Sequence, residues 1–142
     1  MARVVVVGPT GHIGNLSARA LLARGHEVVA AARDPDRRAL EDLAVERAVV
    51  DVLEPETIAA AAAGADAIVF AAGPPLVGPG PHDPRAIRAH TDGAEHTARA
   101  AAAVGARLVF VSSSVVFAVD GEVVDEGAPL RATGRNVYEA AK

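Results

Sequence analysis

Arg3-Val-Val-Val-Val7-Gly8-Pro-Thr-Gly11-His-Ile-Gly14 decides how the rest of this chain is read. An unbroken valine run followed at once by glycines is the pattern of a strand buried on both faces that ends in a tight turn. Beyond Gly14 the apolar residues Leu16, Ala20 and Leu21 recur at helical spacing after Ile13, and Gly25 supplies a stop, so a helix is expected over Gly11–Arg24. Glycines between a buried strand and a helix N-terminus let the backbone close on a pyrophosphate, which the free N–H groups and the positive end of the helix dipole attract. Gly8, Thr10, Gly11, His12, Ile13 and Gly14 are therefore the first candidate cofactor contacts. The alternative is a structural turn that binds nothing. The spacing Gly-x-x-Gly-x-x-Gly differs from the commoner Gly-x-Gly-x-x-Gly, so context carries the reading.

Working outward, strands and helices alternate. Further strands are expected at Glu27–Ala32, Val45–Val50, Ala67–Ala71 and Arg107–Val111, with helices at Asp36–Leu43, Pro55–Ala63 and Arg85–Val104. A Pro- and Gly-rich loop, Gly73–Pro84, precedes the longest helix. Alternation of this kind means right-handed β-α-β units. The expected fold is an α/β, Rossmann-like doubly wound parallel sheet of about five strands in the order 3-2-1-4-5, forming one domain over residues 1–142. After Val111 the pattern changes to an irregular excursion over residues 115–135, with a hairpin expected around Asp120-Gly121. Asn136 is then positioned to cap a new helix that carries Tyr138 and Lys142.

Composition narrows the function. Hydrophobic residues make up 51% and charged residues 23% of the 142-residue chain, as in ordinary globular proteins. A net charge of −4 gives no reason to expect nucleic acid or an anionic membrane as partner. The absence of cysteine removes disulfides, thiolate metal sites and a cysteine nucleophile. The histidines at 12, 26, 82, 90 and 96 lack metal-ligand spacing and are expected at the surface or in loops, and no metal is expected. No apolar run approaches the roughly 20 residues of a membrane helix, and the expected location is cytoplasmic.

Three further groups carry chemistry. Arg33 follows the second strand, where such folds meet the adenosine ribose. An acidic residue there would bond a 2′-hydroxyl, whereas an arginine offers a fork of donors to a 2′-phosphate, so NADP is favoured over NAD. A solvated loop arginine is the alternative, and Asp34 beside it pulls the other way. Asp51 and Val52 follow the third strand, and Ala71, Ala72 and Gly73 the fourth, at the carboxyl ends where open sheets bind ligands. Asp51 can accept from an adenine amino group, and the small residues let a cofactor lie near the backbone. Finally, Tyr138 and Lys142 stand at i, i+4 on one helix face. A tyrosine of ordinary pKa about 10 is a poor base, and a neighbouring ammonium favours its phenolate. The serines 112–114, ending the fifth strand, can hydrogen-bond a substrate oxygen. A chance Tyr-x-x-x-Lys is the bland alternative. This is the chain's one tyrosine, and it comes after a nucleotide loop and a serine-ended strand.

Taken in order, these motifs resemble the short-chain dehydrogenase/reductase superfamily. Val109-Phe-Val-Ser-Ser-Ser-Val-Val-Phe117 and Val124-Asp-Glu-Gly-Ala-Pro-Leu130 are similar to its extended branch, the NAD(P)-dependent epimerase/dehydratase group, while Arg33 with Pro35 is similar to an atypical NADP-binding branch. The resemblance implies Ser113, Tyr138 and Lys142 as catalytic residues, Tyr138 and Lys142 also as cofactor contacts, and hydride transfer to or from a small-molecule substrate. That substrate class is a nucleotide sugar or another carbonyl or hydroxyl compound. His12 and Phe117-Ala118 depart from the family pattern, which usually has an aromatic residue and Tyr-Gly there. Family members continue well past the lysine, so the chain reads as the N-terminal portion of such an enzyme, with an uncovered edge on its fifth strand that favours homo-oligomers or self-association. A non-catalytic NADP(H) sensor and an inactive fragment are the other readings.

Overall fold

The computed structural model describes residues 1–74, 83–117 and 124–130. Five parallel strands form one sheet in the order β3-β2-β1-β4-β5, as expected: β1 (Arg3–Val7), β2 (Glu27–Ala32), β3 (Glu46–Val49), β4 (Ala67–Phe70) and β5 (Arg107–Phe110). Three helices connect them: α1 (His12–Ala23), α2 (Pro55–Ala62) and α3 (Pro84–Val104). β1 is central because its valines have partners on every side. Val4–Val7 are at most 4% exposed; Val5 and Val7 pack in one cluster with Ile58 and Phe70, while Val6 packs in another with Ala18. Burying each valine is worth roughly 1.5–3 kcal/mol relative to leaving it in water.

Strands β3, β4 and β5 each stop one residue short of the sequence expectation, yet the backbone pairing runs on. Val50 donates to Ala32 O (2.9 Å), Ala71 to Val7 O (2.9 Å) and Val111 to Phe70 O (3.0 Å). The helices start and stop where the chain chemistry directs. Pro55 and Pro84 open α2 and α3, Asp83 caps α3 by accepting the Arg85 N–H, and Gly105 ends it at φ 70°.

The helix expected over Asp36–Leu43 does not form; the segment holds a single 3-10 turn, Arg38–Leu40. Leu40 is its one fully buried side chain, so no apolar stripe stabilises a helix that is too short to stand alone. The turn is instead clamped onto α1. Asn15 Nδ2 donates to Ala39 O (2.8 Å), and the Arg19 fork grips both oxygens of Asp42 at 2.8 Å, holding that carboxyl below the usual carboxylate range. This clamp sets the path of the chain just beyond β2.

At the far edge β5 pairs with β4, and Phe70 stacks on Phe110 with ring centroids 5.7 Å apart. Val109 remains 47% exposed. Beyond β5 a 3-10 turn spans Ser114–Val116, and Phe117 bridges Leu130 in antiparallel sense. The hairpin expected at Asp120-Gly121 and the helix expected to carry Tyr138 and Lys142 lie outside the described residues.

Candidate functional site

A cleft of about 610 Å³ opens at the carboxyl ends of the strands, between the halves of the sheet where the chain order reverses. This is the crossover at which open α/β sheets bind ligands, and the volume suits a small-molecule cofactor. Its floor is the turn between β1 and α1. Gly8 has φ 90°, and its N–H donates to Ala31 O (3.0 Å). A Cβ on Gly8 would stand 2.8 Å from the Ala72 backbone, so β1 and the end of β4 can lie this close only because residue 8 is glycine. A Cβ on Gly14 would lie 2.1 Å from Gly8 O, which ties helix to turn equally closely.

Gly11 differs from both. Its φ and ψ of −85° and 167° suit any residue, and a Cβ there would meet nothing nearer than Gly8 O at 3.5 Å. It lines the cleft with Thr10 and caps α1 without a side chain. The protein itself therefore does not require glycine here; what the missing Cβ leaves is room in front of the helix N-terminus. His12 and Ile13 follow in the exposed first turn and do not line the cleft, so only their backbone N–H groups belong to that N-terminus.

The walls come from the other strand ends. Arg33 lines the cleft from the end of β2, exposed and with no hydrogen bond or ion pair among the described residues. Arg37, which sequence reasoning missed, lines the same rim and lies 3.6 Å from Asp34. Asp51 and Val52 form the β3 side, and Ala71, Ala72 and Gly73 the β4 side, all as expected from strand-end position. Asp51 also carries an ion pair with Arg85 of α3 that spacing along the chain could not show.

The expectation of surface or loop histidines holds for His12, which is exposed, and needs correction on α3, while His82 lies outside the described residues. His90 is buried at 4% exposure, its Nε2 is 2.9 Å from Pro74 O, and a Cβ on Gly73 would strike its ring at 2.1 Å. His96 donates through Nδ1 to Val52 O (3.0 Å). Both sit on α3 and hold cleft-lining backbone in place. The signal was available for His90: it falls on the buried stripe His90, Gly93, Thr97, Ala100 and Ala101, at helical spacing.

Ser113 stands just beyond β5, half-buried, with its carbonyl accepting from Val116 N (3.2 Å); it does not line this cleft. Tyr138 and Lys142 lie outside the described residues. Among the described residues no helix is long and apolar enough to cross a membrane.

A parallel sheet of this order with a glycine turn at its crossover defines an α/β dinucleotide-binding domain. Residues 8–141 match the family described as NAD(P)H-binding, and the chain belongs to that family. It is 37% identical over 136 residues to a 3-diazoavenalumate denitrifying reductase of a Streptomyces species, a match covering 90% of this chain and 43% of that one. Among solved structures, it resembles a UDP-glucose-4-epimerase from Stenotrophomonas maltophila with bound NAD and formylated UDP-arabinopyranose: 25% identity, TM-score 0.86, covering 100% of this chain and 46% of that one. It shares its fold with a short-chain dehydrogenase/reductase superfamily protein from Agrobacterium tumefaciens with bound NAD, at 23% identity and TM-score 0.81, covering 99% and 42%. The chain thus spans less than half the length of these relatives. The superfamily resemblance and the strand order drawn from the sequence both hold.

Proposed function

We propose that residues 1–142 form one NADP(H)-binding domain of a reductase or epimerase-type oxidoreductase. The observation that carries this reading is the room left by Gly11 at the α1 N-terminus, at the base of a cleft whose rim bears Arg33 and Arg37. The first-turn N–H groups of α1 would receive the pyrophosphate. Arg33 would grip a 2′-phosphate, with Arg37 as a second donor, and this favours NADP over NAD. Gly8, Ala71, Ala72 and Gly73 keep the floor free of bulk so that a dinucleotide can lie along it. When bound, the nicotinamide supplies hydride transfer to or from a carbon bearing oxygen.

The acid–base part rests on the superfamily resemblance and on the Streptomyces relative's being named a reductase. Tyr138 would move the proton at the substrate oxygen, Lys142 would lower the tyrosine's pKa and hold the nicotinamide ribose, and Ser113 would orient the substrate oxygen. The substrate class is a small carbonyl or hydroxyl compound, a nucleotide sugar among the candidates by likeness to the epimerase. Calorimetric titration with NADPH and NADH tests the cofactor reading. Tighter binding of NADPH is expected, and a protein that binds neither overturns it. NADPH-dependent turnover of carbonyl substrates, lost in Tyr138→Phe, tests the chemistry.

A further inference from the structure

The ion pair between Asp51 and Arg85 is not explained by folding. Its side chains are 23% and 54% exposed, and pairs this open to solvent contribute little to stability. Yet Asp51 is held at its backbone and at both carboxylate oxygens. Thr57 Oγ1 accepts the Asp51 N–H at 3.2 Å and lies 3.0 Å from the Asp51 carbonyl. Leu53 N–H donates to Oδ1 at 3.0 Å, and Arg85 Nη2 donates to Oδ2. Arg85 itself is set by the start of α3, where Asp83 accepts its N–H at 2.9 Å. A carboxylate oxygen accepts about two hydrogen bonds, so each oxygen of Asp51 keeps one acceptor site while the carboxylate plane stays fixed. Both side chains line the cleft.

The pairing also solves an electrostatic problem. A lone carboxylate would repel a polyanionic dinucleotide, and the guanidinium cancels that charge without removing the acceptor sites.

From this geometry we infer that Arg85 is a positioning residue that makes Asp51 read the nucleobase, selecting one with an exocyclic amino group over one with a carbonyl at the same place. The inference rests on the proposal that a dinucleotide occupies the cleft. An acceptor-only group bonds the adenine amino group and meets the hypoxanthine oxygen with repulsion. Arg85 sharpens that choice by keeping the carboxylate from turning away.

The test compares NADPH with its hypoxanthine analogue, by fluorescence titration of the whole chain. The unaltered protein should favour the adenine form by about tenfold or more. Arg85→Ala should weaken both ligands and cut their affinity ratio by about threefold to tenfold, with Arg85→Lys restoring most of it. In Asp51→Asn the ratio should collapse, and adding Arg85→Ala should change it no further. A ratio unchanged in Arg85→Ala, with both affinities lowered alike, would reduce Arg85 to a charge and overturn the inference while leaving the cofactor proposal standing. If the unaltered protein binds neither ligand, the cofactor proposal fails and this inference with it.

Discussion

The turn between β1 and α1 and the rim beyond β2 and β3 build one cleft by opposite means. The turn works through side chains it lacks: Gly8 lies against the Ala72 backbone and Gly14 against the Gly8 backbone, with no room for a methyl group on either glycine. The rim works through side chains it has, with Arg33, Arg37, Asp51 and Arg85 reaching into or across the opening from three different elements. The first construction has no slack, because a backbone atom can move only if a strand or helix moves with it. The second is half-open to water, and each of its charges can be altered with little strain. Damage to the turn should therefore be structural and severe, and damage to the rim should change which ligand is preferred.

The sharpest break in this contrast is Gly14→Ala. One methyl group would lie 2.1 Å from Gly8 O and 2.7 Å from Gly8 C, so turn and helix must separate. Overpacking of this kind should cost about 3 kcal/mol, a Tm loss of roughly 10 °C. Thermal unfolding followed by circular dichroism measures it, and a melting curve like that of the unaltered protein would show that the turn has slack after all.

Gly11→Val separates binding from folding inside the turn itself. Its backbone angles are open to any residue and its nearest obstacle is 3.5 Å away, so stability should change by less than about 1 kcal/mol. The branched side chain would fill the space before the helix N-terminus, and NADPH affinity should fall by about a hundredfold or more. A folded Gly11→Val protein with normal NADPH affinity would place the phosphate site elsewhere.

The same division explains what the chain shows before it is folded. A strand buried on both faces announces itself as Val4–Val7, and glycines after it announce a turn, because both are properties of neighbouring residues. Strand order followed from the alternation, and Arg33, Asp51 and Ala71–Gly73 followed from lying just beyond strand ends. The Asp36–Leu43 helix was not legible as absent, because its fate depends on how little apolar surface it can bury. Arg85 is 34 residues from Asp51, so nothing local marks their meeting. The separate roles of Gly8, Gly11 and Gly14 were equally hidden, since three identical residues differ only in what a side chain would strike.

On the rim, Arg33→Ala should weaken NADPH by roughly tenfold to a hundredfold, the worth of one charge-assisted contact at about 1.5–3 kcal/mol. NADH should scarcely change, and the fold should be intact because the side chain is exposed. Equal losses for the two cofactors would show that Arg33 does not distinguish them. The loss should be accompanied by a shallower salt dependence, since the removed attraction is the part that ions screen.

The smallest effect is expected at Asp34, and it reports on the same choice with the opposite sign. Its carboxylate lies 3.6 Å from Arg37 and both groups are more than 60% exposed, so their attraction is weak and screened. A 2′-phosphate held by Arg33 and Arg37 would feel that carboxylate as a like charge. Asp34→Asn removes the charge, keeps the shape and releases Arg37. The NADPH to NADH affinity ratio should rise by about threefold at low ionic strength and return toward its starting value as salt is added. The alternative role for Asp34 is to bond the ribose 2′-hydroxyl directly, as an acidic residue near this strand end does in NAD-binding sheets. In that case Asp34→Asn weakens NADH and leaves NADPH unchanged. Both outcomes raise the ratio, so the two separate affinities decide between them. A gain for NADPH marks a rim built for a phosphate, and a loss for NADH marks one built for a hydroxyl.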